Sequence, residues 1–160
     1  MKGLQWSLSS YACLQVFGFG ETRPRDGGMV AEYSLHVQCP WRLVRHGVLI
    51  CGSFDRFLRE DGSYSDDEQW DPLDGNLLDA ILIRLFKSTK HGRMPLENKT
   101  ADFGVTGVEV DDFGGFTLQL SPDYALAVFP AGSTGESWRV FQPGLETAHF
   151  VVEAGSFSKD

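Results

Sequence analysis

Three cysteines and four histidines are the residues of this chain best suited to metal or thiol chemistry. Their spacing decides what they can do. Cys13, Cys39 and Cys51 form no CxxC pair, so neither a zinc knuckle nor a dithiol redox motif is indicated. His36 and Cys39 stand three apart, a ligand spacing on a helix, but Glu32 to Cys39 alternates as a strand. An odd separation on a strand sends two side chains to opposite faces. Cys39 and Cys51 can meet across a hairpin, yet a tetrahedral site takes four ligands, and His46, His91 and His149 show no pairing. Cys39 and Cys51 read as small core residues, and no metal site is expected.

Nucleophilic catalysis needs a nucleophile with a base in reach. No G-x-S-x-G elbow is present, and Gly132-Ser133-Thr134-Gly135 reads as a loop between strands. A pairing of Cys51 with His36 or His149 has no local support. Asp111 and Asp112 are adjacent and read as turn residues. Phe17-Gly-Phe-Gly20 lacks the Lys-Ser/Thr of a phosphate loop. No residue is assigned a catalytic role, no cofactor is expected, and the balance leans away from an enzyme.

The acidic stretch from residue 59 to 75 is different in kind. It gathers Glu60, Asp61, Asp66, Asp67, Glu68, Asp71 and Asp74 among Gly, Ser and Pro, with Trp70 its apolar anchor. The alternating carboxylates and central Gly of a calcium loop are missing. Clustered carboxylates instead speed encounter with a cationic surface. Asp66, Asp67, Glu68 and Trp70, with Trp41 and Arg42 beyond the Pro40 break, therefore form the expected interaction surface, and a basic protein is the expected partner. The two tryptophans serve as anchors on the condition that they are exposed.

The elements that must carry these residues follow from periodicity. Residues 4–12 read as a short helix or turn, Leu14 to Phe19 as a strand weakened by Gly18 and Gly20, and Thr22 to Gly28 as a loop. Leu35 and Val37 alternate with His36 and Gln38. Pro40 ends that strand, Trp41 to Val44 continues extended, and His46-Gly47 turns into a strand at Val48 to Cys51. Leu77, Leu78, Ile81, Leu82, Leu85 and Phe86 make an apolar stripe of helical period, with Asp74 or Asn76 as cap and Gly92 as stop. From Val105 to Glu153 five strands follow, separated by turns such as Asp111 to Gly115 and Pro122-Asp123. Each is expected to pair with its sequence neighbour. The fold class is α+β: one curved, mostly antiparallel sheet of about seven strands with one main helix on its apolar face. A half-closed barrel is the alternative. The whole of 1–160 forms a single domain, with 156–160 a frayed tail.

Composition narrows the setting. With 14 basic against 22 acidic residues the net charge is −8, which repels phosphate backbones and anionic lipid. Nucleic acid and membrane are thus not expected partners, and no window has the roughly 20 apolar residues of a span. An odd cysteine count fits a reducing compartment. Ala12-Cys13 resembles a lipoprotein cleavage site only faintly, because Ser10 stands where an aliphatic residue belongs. The expected location is the cytoplasm.

Several strings carry a resemblance: Leu35-His-Val-Gln-Cys-Pro-Trp-Arg-Leu43, Gly75-Asn-Leu-Leu-Asp79, Asp112-Phe-Gly-Gly115, Val128-Phe-Pro130, Glu136-Ser-Trp-Arg139 and His149-Phe-Val-Val152. From about Glu32 to Val152 the chain resembles a group of small uncharacterised bacterial proteins, a domain of unknown function. In architecture and charge it is also similar to the small acidic immunity proteins that neutralise bacterial toxins. That likeness implies a non-catalytic binding module, in the manner of an inhibitor covering a basic surface. It assigns no residue. A second reading is a small-molecule binder or enzyme with a pocket at His36, Cys39, Trp41 and Arg42. A third is an oligomeric structural subunit, with the oligomeric state itself open.

Overall fold

Alternating apolar and polar residues dominate the chain, and a computed structural model shows them as eleven strands. It describes residues 2–8, 14–25, 28–64, 75–85, 101–146 and 148–159. The strands are β1 Lys2–Leu8, β2 Gln15–Arg25, β3 Gly28–Val37, β4 Trp41–Arg45, β5 Val48–Gly52, β6 Ala101–Val110, β7 Phe116–Leu120, β8 Tyr124–Val128, β9 Glu136–Phe141, β10 Phe150–Glu153 and β11 Ser156–Lys159. A 3-10 turn covers Ser53–Phe57, and α1 covers Leu77–Leu85.

All the pairings are antiparallel, in the order β11-β10-β9-β3-β2-β1-β6-β7-β8-β4-β5. The middle of that order is thin. β1 meets β6 only at Lys2 with Gly104 and Leu4 with Ala101, with a register shift between them. The molecule is therefore two antiparallel sheets sharing a narrow seam, and neither closes into a barrel. They face each other across a common core. Phe17 on β2 meets Trp41 on β4 edge-on at 5.3 Å, and Phe116 on β7 meets Trp138 on β9 at 4.9 Å. Edge-to-face contacts of this kind favour aromatic pairs beyond the area they bury.

The α+β class and the antiparallel sheet match expectation, as do the hairpin at His46-Gly47 and the helix. Asn76 caps that helix, its Oδ1 accepting the Asp79 amide at 2.8 Å. Leu78 and Leu82 are buried in the core. Other expectations are corrected. Eleven strands replace about seven, partly because Leu4, Trp6 and Leu8 alternate with Gln5 and Ser7, and residues 2–8 are a strand rather than a helix or turn. Most of the expected 22–28 loop is strand. Thr22 to Arg25 pairs with Gly28 to Ala31, and Pro24 is tolerated because β1 pairs with β2 only along Gln15 to Phe19. A bulge at Gly20, with φ +84°, separates the two stretches of β2.

The C-terminal strands do not all pair with their sequence neighbours. β8 pairs with β4, and after Pro130 the chain crosses to put β9 between β3 and β10. The helix is also not the principal cover of the sheet. It packs against the 3-10 turn and β5, while the two sheets cover one another. The expected tail at 156–160 is strand β11 through Lys159, joined to β10 by a two-residue turn in which Ala154 and Gly155 both have positive φ.

Candidate functional site

The core between the sheets does not fill to the edge. Toward β11 and the β6–β7 hairpin it opens into a cleft of about 430 Å³. One wall is built from Phe19, Tyr33, Leu35, Trp138 and Val140, continued outward by Phe150 and Phe157. The other wall is Val105, Val108, Val110, Phe116 and Leu118. The strand period places them there. On β9, Trp138 and Val140 face the cleft and Arg139 faces away; on β3, Tyr33 and Leu35 face in and His36 out. On β6 and β7 the register sets Val110 opposite Phe116 and Val108 opposite Leu118.

None of the described residues that line this cleft is charged. The indole N–H of Trp138, one of its few polar groups, donates to the Gly114 carbonyl at 2.7 Å. That bond fixes the ring and ties β9 to the β6–β7 turn. Asp111 holds the turn itself, its Oδ1 accepting the amides of Phe113 and Gly115, both at 2.8 Å. The lips of the cleft are open to solvent: Val110 is 76% exposed and Phe157 53%. Large apolar side chains thus stay exposed around one concavity.

The opposite face of the same strands is polar and internally satisfied. Arg139 donates to both carboxylate oxygens of Glu136 and lies 3.3 Å from His149 Nδ1. His36 meets Phe141 edge-on at 4.8 Å, and His149 stacks on the same ring at 4.6 Å. Burial, and secondarily the Arg139 charge, lower the His36 pKa from 6.5. Hydrogen bonding from Arg139 holds the Glu136 carboxyl below its ordinary value.

The residues singled out in the sequence are scattered by the fold. Trp41 is 2% exposed, wedged against Phe17 with its amide donating to Ser53 Oγ at 3.4 Å, so it does not meet the exposure its anchor role required. Its neighbour Arg42 points the other way, its guanidinium 5.5 Å from the Phe129 ring, in a shallow groove shared with Glu109, Asp111 and Thr117. His36 belongs to the Arg139 face, so His36 and Arg42 do not share a site. Asp66, Asp67, Glu68 and Trp70 lie outside the described residues. The thiols suit packing: burial pushes Cys39 up to about 11 and Cys51 up to about 12, far from the thiolate a nucleophile needs. Among the described residues no three His, Cys, Asp or Glu side chains converge as a metal cluster, and no helix is long and apolar enough to cross a membrane.

Sequence reasoning missed the cleft. Its available signal was Val108, Val110 and Phe150, apolar residues of the expected strands, and Phe157, an aromatic in the expected tail.

Fold and site together define a class: an open antiparallel β-sandwich with an apolar cleft between its sheets. No protein-family model, curated protein or solved structure matches the chain.

Proposed function

We propose that the protein is a non-catalytic binding protein whose ligand is an apolar small molecule held in the cleft between its two sheets. The observation that carries this is the wall of Phe19, Leu35, Phe116, Leu118 and Trp138, a concavity of about 430 Å³ without a charged side chain. That volume lies in the range of small-molecule pockets, which are mostly apolar and preformed. Removing apolar surface from water at about 25 cal/mol per Å² drives such binding without any polar contact. Of the readings open to the sequence, the small-molecule binder gains most, with its site moved from His36, Trp41 and Arg42 to the cleft. A basic protein at Asp66 to Glu68 remains a separate proposal, supported by the net charge of −8.

The test is binding of the uncharged fluorophore N-phenyl-1-naphthylamine, read as its emission gain. The full chain should bind it saturably. Val108→Asp, on the exposed lip, should weaken binding at least about tenfold by placing a carboxylate against the ligand, while near-ultraviolet circular dichroism stays unchanged. An absence of saturable binding, or equal binding by the variant, would overturn the assignment.

A further inference from the structure

The walls of the cleft constrain the far end of the ligand as well as its buried part. On β3, β6, β9 and β10 every described charged side chain is turned away from the cleft or tied to one that is. Glu32, Glu109, Arg139 and Glu153 alternate with the cleft-facing Tyr33, Val110, Trp138 and Val152, and Glu136 is bound by Arg139. Strand β7 carries no charge at all. Asp111 lies in the groove on the reverse side with Arg42 and Glu109.

Lys159 is the exception. On β11 it is the direct cross-strand partner of Phe150, and Phe157 is that of Val152. Directly opposed residues of an antiparallel pair project from the same face. Lys159 therefore stands on the cleft side of the sheet, beside the half-exposed Phe150 ring, which contacts Phe157 at 5.7 Å. Its aliphatic stem can extend the apolar lip while the ammonium stays in water.

We infer that the ligand is a single-chain amphiphile with an anionic head, of the long-chain carboxylate type, its tail in the cleft and its head at Lys159. This rests on the cleft being the ligand site. A tail needs no polar partner from walls that offer almost none. A carboxylate emerging at the β10–β11 lip meets the one cation on that face among the described side chains.

Displacement of the same uncharged fluorophore by decanoate, decanol and decylammonium tests this on the full chain, below the micelle threshold of each. Decanoate should displace at a concentration about two- to fivefold lower than decanol, the scale of one exposed ion pair, and decylammonium should be the weakest. Lys159→Gln should erase the advantage of decanoate and leave decanol unchanged, whereas Lys159→Arg should keep it. Decanol or decylammonium matching or beating decanoate overturns the inference and leaves the cleft as an apolar site. A decanoate preference that survives Lys159→Gln likewise overturns the role of Lys159. Failure of all three amphiphiles to displace bound fluorophore would sink the cleft reading itself.

Discussion

The two faces of β3 and β9 are one residue out of phase and chemically opposite. Trp138, Val140, Tyr33 and Leu35 line an apolar cleft with an open mouth. His36 and Arg139, one step along the same strands, meet Glu136, Phe141 and His149 through an ion pair, hydrogen bonds and ring contacts. The polar face has the residues usually associated with chemistry, and there Arg139 is bonded to Glu136 and beside His149. On the apolar face none of the described residues that line the cleft is charged, and the cleft is open to solvent. Residue type alone draws attention to the polar side of the sheet; the proposed ligand site is on the other.

The contrast breaks most completely at Trp138, which links cleft, core and β6–β7 turn. Trp138→Ala should cost about 3–5 kcal/mol, from lost burial and the cavity left behind, read as a lower urea midpoint. It should abolish fluorophore binding as well. Next in size is Gly114→Ala. Gly114 has φ +83°, and an added Cβ would stand 2.7 Å from Val152 Cγ1. Left-handed strain and overpacking together should cost about 1–3 kcal/mol and shift the Gly114 carbonyl that anchors the indole.

The smallest effect lies on the polar face and depends on pH. The folded-state pKa of His36 is below its ordinary 6.5, first through burial and then through Arg139. Between those two values the unfolded chain binds the proton more readily, so stability rises with pH there. The stabilising contribution is complete above 6.5 and is lost as pH falls through the window. His36→Gln should flatten that part of a stability–pH profile without altering ligand binding. Glu136 acts at lower pH: its depressed pKa contributes above its ordinary 4.5 and is lost on further acidification. A variant that changed cleft affinity would show the two faces to be coupled.

Much of the scaffold was legible in the sequence because local chemistry writes it. The Leu77–Leu85 stripe with its Asn76 cap, the His46-Gly47 turn and the Asp111–Gly115 turn all depend on residues within a few positions of one another. Pairing over long separations was not legible. Nothing within Trp41–Arg45 says that its partner is Tyr124–Val128, and nothing within Glu136–Phe141 says that it will leave the meander for β3. Trp41 shows the consequence. Its position beside Pro40 reads as a break in the sheet, but pairing with Val128 draws it into the core. The cleft is a product of the same long-range pairings, since its walls come from strands at both ends of the chain.

Those pairings also set how the molecule must assemble. One sheet is built from residues 2–37 and 136–159, the other from 41–52 and 101–128. The second sheet is set within the first along the chain, so the first is completed only when segments from both ends of the chain come together. The β3–β9 register joins residues about a hundred positions apart, and such loop closure must precede any reward from contact, which slows folding in sheets of this kind. Loss of the last two dozen residues would remove β9, β10 and β11, stripping a local hairpin and the partner of β3 together. The sheet that supplies β3 and β9 to the cleft therefore depends on both ends of the chain at once.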